Sequence, residues 1–346
     1  MVDFVDVSLT PLIGKMASNR ENISGRGHGN GHQHNGRLGR GSHAKVTHLS
    51  PKAKKMLLYG LSLVGFGKKR QKCREALSIR RFRAHYEIGP GAVKQLASDL
   101  KKNYDEPINL PNLFMALHWL KLYSTEEVMA GRWGHGEQYC RETTKKYVKQ
   151  IRSMKQKKIT FRGLHPKCRF APVDCVHIIC YEFRCDPDSK WWSHKSNGPG
   201  VSFEVVTDPV DGHIRWVNGP EPASTHDLTF LRGGKKGKEK EWKKSSLYFN
   251  LPNGLRLVGD SAYEGQPDKV STSNDAHDPA TKELFARMKS LQETLFKRLK
   301  DFKVLRGPFR HGQGTEDKLE KIKLCFEACL VLVQYDIENG HPLFQV

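Results

Sequence analysis

The chain has 346 residues, 37% of them hydrophobic, which is enough for at least one substantial core and favours two folded units over a single small module. Its 58 lysines and arginines exceed its 37 acids, a formal charge of +21, so the partner to expect is a polyanion, and nucleic acid comes first. No apolar run approaches the roughly 20 residues of a spanning helix, and the opening MVDFVDVSLTPLIGK carries Asp3 and Asp6 where a secretory leader would carry positive charge. These features point to an intracellular protein with no membrane partner.

Residues 17–50, including GRGHGNGHQHNGRLGRGSH, are rich in Gly, His, Asn and Arg and nearly free of apolar side chains. Such a segment cannot repay the entropy of ordering, so residues 1–50 are expected to be a disordered arm. Its His28, His32, His34 and His43 lack the flanking structure that would fix a metal. The run KKRQKCREALSIRRFR from Lys68 holds eight cations against one Glu and reads as a solvated face, a nuclear import signal or a phosphate clamp. Leu113, Leu117 and Leu120 then recur at helical spacing, Ser124 and Glu127 form a capping-box pattern, and EQYCRETTKKYVKQIRSMKQKK is a third, strongly basic helix. With turns at Tyr123 and Gly134 this is a helix-turn-helix-like arrangement within a basic helical DNA-binding region over 51–165.

From Phe170 the pattern changes to strands. VDCVHIICYEF, VSFEVVTD and HIRWVNGP are β-branched and aromatic, and Asp211-Gly212 is a hairpin signal, so three antiparallel strands are implied. A helix after Thr225, a Lys/Gly-rich loop, the strand LRLVGDSAY and two closing helices complete a mixed sheet covered by helices over 166–346. The eight cysteines (73, 140, 168, 175, 180, 185, 325 and 329) include no C-x-x-C pair, so neither a zinc ribbon nor a disulfide framework has its usual spacing. Reduced, mostly buried thiols are expected, with Cys325 and Cys329 together on one helix.

Three acids stand out against this background. Asp174 interrupts an apolar strand, where a carboxylate loses its hydration unless something charged receives it. Asp260 ends LRLVGD, and strand ends are where side chains converge on ligands. Glu293 lies opposite the stripe Leu284, Met288, Leu291, Leu295, Leu299 and Phe302, and Lys282, Lys289, Lys297 and Lys300 surround it on the helix. For Glu293 alone, simple pairing with Lys289 and Lys297 on a solvated helix explains the pattern equally well. Together, one acid in a strand, one at a strand end and one on a later helix can hold two divalent cations, as phosphodiester cleavage requires, and hard oxygen donors suit Mg²⁺ or Mn²⁺.

At these residues the sequence resembles the DDE-superfamily endonucleases, specifically the PIF/Harbinger-type transposase domain of eukaryotic DNA transposons. The resemblance runs from about Phe82 to the C-terminus and rests on VDCVHI, NGPGVSFEVVTD, WVNGPEPASTHDLTFLR, LVGDSAY, QETLFKRLKDFKVLRGPFRHG and CFEACLVLVQYDIENGHPLF. It implies an α/β, RNase H-like mixed sheet with Asp174, Asp260 and Glu293 as catalytic metal ligands. It also implies that Asp227 lies close to the metals, as a further ligand or an acid beside them, although Asp227 also fits a helix cap or first-turn acid. His226 reads as structural, and His177 falls on the opposite side of a regular strand from Asp174, so neither belongs to the catalytic set.

Double-stranded DNA, both transposon ends and target, is the implied partner. Candidate phosphate contacts are Lys289, Lys297 and Lys300 and, on the basic helix, Arg141, Lys145 and Lys146. A homo-oligomer, an accessory DNA-binding protein and nuclear localisation follow from the same resemblance. Two alternatives stay open on the residues alone: a domesticated, non-catalytic DNA-binding protein that retains the fold, and an RNase H-like nuclease acting on RNA. The loop GGKKGKEKEWKK lies outside the family pattern and is unusually basic.

Overall fold

The structure, a computed structural model, describes residues 49–67 and 74–346. The arm with His28, His32, His34 and His43, and the start of the basic run from Lys68 through Cys73, lie outside the described residues.

Helices come first, each opened by local chemistry. Helix α1 (Pro51–Leu63) is capped by Ser50, whose hydroxyl accepts the Ala53 N–H, and a proline stands in its first turn where no donor is needed. Then follow α2 (Glu75–Tyr86), α3 (Pro90–Tyr104), α4 (Leu110–Leu122), α5 (Glu126–Trp133), α6 (Glu137–Ser153) and the single turn α7 (Lys155–Lys158). The helices α4, α5 and α6 are divided at Tyr123 and Gly134, the two positions the sequence marked, and both take left-handed backbone conformations (φ 51° and 66°). The Ser124/Glu127 capping box does not form: the N-cap of α5 is Thr125, and it makes no side-chain cap bond. Arg310 holds the Tyr123 carbonyl and its backbone N–H reaches the Tyr123 hydroxyl, which fixes the chain's exit from α4 and starts α5 one residue late.

The sheet is built from β1 (Phe170–Ile179), β2 (Trp192–Ser193), β3 (Gly198–Thr207), β4 (Ile214–Pro222), β5 (Arg256–Val258) and β6 (Val270–Ser271). Strands β1, β3 and β4 form an antiparallel meander, β5 and β6 add in parallel on the other side of β1, and β2 pairs with the start of β3. The hairpin between β3 and β4 turns at Gly212 (φ 74°). Helices α8 (Asp227–Arg232), α9 (Leu247–Asn250), α10 (Pro279–Lys300), α11 (Lys303–Arg306) and α12 (Thr315–Glu338) complete a mixed α/β fold with its sheet flanked by helices.

Helix α12 explains why helices and sheet form one core. Its run CFEACLVLV is buried on every side, because β4 covers one face while α3 and α6 cover others. Phe326 stacks on Phe203 of β3 with centroids 3.8 Å apart, and Gln334 accepts the Ile214 N–H at 2.8 Å. Its buried acids look the other way: Glu327 takes Arg152 at 2.6 Å and Lys155 at 2.7 Å, and Asp336 takes both Arg83 nitrogens and the Gly89 N–H, each at 2.8 Å. The seven described cysteines are all free and only Cys185 is exposed. Among the described residues no helix is long and apolar enough to cross a membrane.

Burial opposes the charge of Asp336, yet the His341 and Arg83 hydrogen bonds outweigh it and hold the carboxyl below the usual range. Removing it would leave the Arg83 fork and the Gly89 N–H without their acceptor. We expect Asp336→Ala to cost about 3 kcal/mol of stability, read as a lower urea midpoint at unchanged slope.

Candidate metal centre

Strand pairing places the first two acids. In the parallel ladder Pro172 stands opposite Val258, and two residues further along each strand come Asp174 and Asp260. A parallel register carries both chains onward in one direction, so the two carboxylates emerge side by side where β5 ends. Asp174 stays in β1 between buried Val173 and Cys175, while Asp260 caps the turn Ser261–Tyr263 by accepting the Ala262 N–H at 2.9 Å. Asp227 arrives from the crossover after β4. It is the first residue of α8, following His226, whose ring Nδ1 accepts the Leu228 N–H.

One oxygen from each of Asp174, Asp227 and Asp260 lies within 4.8 Å of the others. The nearest cation is Lys195, 4.0 Å from Asp227 and itself largely exposed. Burial is the main cause that pushes the Asp174 carboxyl up to about 6; Asp260 and Asp227 add to it, while the Cys175 N–H and Lys195 oppose. Burial also raises Asp227, against the pull of Lys195 and the Cys175 thiol. Three carboxylates facing one screened ammonium leave negative charge uncompensated, and all the donors are hard oxygens, so the residues fit a divalent cation of the Mg²⁺ or Mn²⁺ kind.

Glu293 is not in this cluster. It sits exposed on α10, whose Lys282, Phe285, Lys289 and Gln292 line a cleft of about 370 Å³ shared with Asp174 and Asp260. The buried Gln292 explains the offset: it donates to the Val205 carbonyl at 2.7 Å and accepts the Thr207 hydroxyl at 2.5 Å, pinning α10 to β3. Glu293, one residue on, is exposed on the same helix and belongs neither to the cluster nor to the residues that line the cleft.

The remaining candidates spread over the surface. Lys297 and Lys300 are exposed farther along α10. On α6, Arg141 is paired with Glu126 and Lys146 faces Glu106 at 3.7 Å, whereas Lys145 has no ion pair among the described residues. Arg141 and Lys145 border a separate cavity of about 190 Å³ whose lining includes Glu126 but none of Asp174, Asp227, Asp260 and Glu293. His177 points to Ser193 (Nδ1 to Oγ 2.9 Å), and β1 keeps a regular register with β3 from Val173 to Ile179.

Sequence reasoning missed Glu204. It stands in register with Cys175, fully buried, with neither carboxylate oxygen in a hydrogen bond of standard geometry. Burial pushes its carboxyl up to about 8, opposed by the nearby Trp216 indole and reinforced by Asp227. The signal was available: Glu204 interrupts VSFEVV as Asp174 interrupts VDCVHI. Cys175 links the two levels, since its sulfur is 3.4 Å from the Tyr263 hydroxyl while its N–H bonds Asp174 at 2.7 Å.

A mixed sheet that gathers carboxylates from β1, α8 and the end of β5 defines a mixed α/β domain with a candidate cation centre. Residues 173–334 match the family model of the DDE superfamily endonucleases, and this part of the chain is therefore a DDE superfamily endonuclease domain. The match takes in Asp174, Asp227, Asp260 and Glu293. Comparison with curated proteins and with solved structures returned no match.

Because folding raises both the Asp174 and Glu204 carboxyls, the folded chain holds their protons more tightly than the unfolded one. Their contribution is therefore most favourable at low pH and is lost as pH rises, to about 6 for Asp174 and about 8 for Glu204. In thermal melts without divalent metal, Asp174→Asn should remove the lower-pH part of this decline and Glu204→Gln the upper part.

Proposed function

We propose that this protein is a metal-dependent DNA endonuclease and strand transferase of transposon origin, of the PIF/Harbinger type. The observation that carries this reading is the convergence of Asp174, Asp227 and Asp260 inside a DDE superfamily endonuclease domain. Two Mg²⁺ or Mn²⁺ ions, when bound, supply activation of an attacking water and stabilisation of the leaving oxygen. Asp174, Asp227 and Asp260 would hold the ions, and Glu293 of α10 would join them as a fourth acid. Lys282 and Lys289 border the same cleft and would hold the phosphodiester against the acids.

The charge of +21 supports a DNA partner, and Lys145, Lys297 and Lys300 offer further phosphate contacts away from the acids. Bringing two transposon ends together calls for more than one copy of the chain, and an accessory DNA-binding protein would supply end recognition. A DNA substrate of this origin places the protein in the nucleus.

Calorimetry with Mn²⁺ and nicking of duplex DNA test this reading together. Wild type should bind the ion and nick, whereas Asp174→Asn should do neither while still binding duplex. Wild type that binds DNA but takes up no metal and cuts nothing would leave a non-catalytic DNA-binding protein. Glu293→Gln gives a separate check on the fourth acid: cleavage should fall by about 100-fold or more, with a smaller loss of metal affinity than in Asp174→Asn.

A further inference from the structure

The loop that follows α8 carries a second kind of surface. Residues 233–250, GGKKGKEKEWKKSSLYFN, contain six lysines and three aromatic residues against two glutamates. Its inner side is anchored: Trp242 is buried and its indole donates to the Lys235 carbonyl at 2.8 Å, Ser246 donates to the Arg232 carbonyl at 3.0 Å, and the Lys243 N–H reaches Gly233 at 3.1 Å. Gly233 (φ 75°) and Gly234 lie so close to Ser246, Lys243 and Trp242 that a β-carbon at either would collide with them.

The outer side is different. Tyr248 meets Trp242 at 5.2 Å and Phe249 at 5.1 Å, both edge to face, and Phe249 remains 39% exposed. A large apolar ring left in water within a basic loop contributes little to a core. The Lys244 ammonium stands 4.0 Å from the Phe249 centroid and that of Lys269 stands 5.4 Å from Tyr248. Among the described residues Lys236, Lys244 and Lys269 make no ion pair, whereas their neighbours Lys238 and Lys243 are taken by Glu241 and Glu221. Between these groups runs a cleft of about 500 Å³ whose one acid, Glu239, accepts the Gly237 N–H at 2.9 Å.

The position of this surface ties it to the acids. Helix α8 begins at Asp227 and ends at Arg232, a length of about 9 Å. Arg232 then donates to the Gly265 carbonyl and to Gln266, in the segment that follows Asp260. The cleft is thus mounted on the two segments that deliver Asp227 and Asp260.

We propose that the surface of Lys236, Lys244, Tyr248, Phe249 and Lys269 binds single-stranded DNA beside the acid cluster. The exposed Phe249 ring, backed by the half-buried Tyr248, can stack only on unpaired bases, because a duplex stacks its bases internally and presents phosphates to such a surface, while unpaired lysines track the backbone of either form. The inference deepens the proposed function and rests on DNA being the substrate. The strand it would hold is the one freed next to a cut.

The test is binding by fluorescence anisotropy in EDTA, using the full chain, a labelled single-stranded DNA oligonucleotide and the same sequence as duplex. The variant Tyr248→Ala/Phe249→Ala should bind the single strand about 5- to 100-fold more weakly, with duplex affinity unchanged. Phe249→Trp, which keeps a ring at this position, should bind the single strand like wild type, and Lys244→Ala should weaken it with a shallower salt dependence. Variants that bind the single strand as wild type does, or that lose single strand and duplex alike, would overturn the proposal. So would tighter binding of the same sequence as RNA. Metal-free binding does not depend on cleavage, so a wild type that fails to nick but shows the ring-dependent preference overturns the nuclease reading and leaves this surface standing.

Discussion

Everything at the candidate centre follows from holding three carboxylates together where they repel one another. Among the described residues the one cation in an ion pair with them is Lys195, largely exposed and 4.0 Å from Asp227, so that pair relieves little of the repulsion. Such an arrangement costs stability and persists only if rigid elements impose it. Here the imposition is the parallel register of β1 with β5, which leaves Asp174 and Asp260 no choice but to emerge together, and the short crossover into α8, which swings Asp227 onto them.

That register is in turn secured at a distance. Helix α12 lies buried between the sheet and the N-terminal helices, with apolar side chains on all faces and each buried acid met by a cation or backbone donor from another element. Gln292 performs the same service for α10, satisfying both of its amide ends on β3 and so presenting Lys282 and Lys289 to the acids. A buried amide with both ends satisfied fixes a helix more sharply than apolar packing, since a slip of one residue would strand polar atoms away from water.

The electrostatics of the chain thus have two signs with two purposes. The chain as a whole is strongly basic, and the three clustered aspartates lie where Lys282 and Lys289 rim the cleft. The Lys/Gly-rich loop after α8 extends the basic rim and adds aromatic faces to it. Helix α6, by contrast, spends much of its charge internally: Arg141 on Glu126 and Lys146 on Glu106.

By itself the sequence determined the order of elements. The breaks at Tyr123 and Gly134, the three antiparallel strands, the Gly212 turn and the closing helices all follow from local preferences that a short window contains. Asp174 and Asp260 were legible for the same reason, as acids at positions where burial or a strand end makes a carboxylate conspicuous. What only the tertiary structure decided was company. Asp227 reads from sequence as a first-turn acid and becomes a member of the cluster through the crossover. Glu293 reads as a ligand and stands exposed on α10, outside the three-aspartate cluster, next to the Gln292 that bonds this helix to β3. Glu204 was overlooked although it shares the pattern of Asp174, and its proximity to Asp227 depends on which strand lies beside β1. Pairing register and helix rotation are set by contacts between residues far apart in the chain, and no local window of sequence carries them.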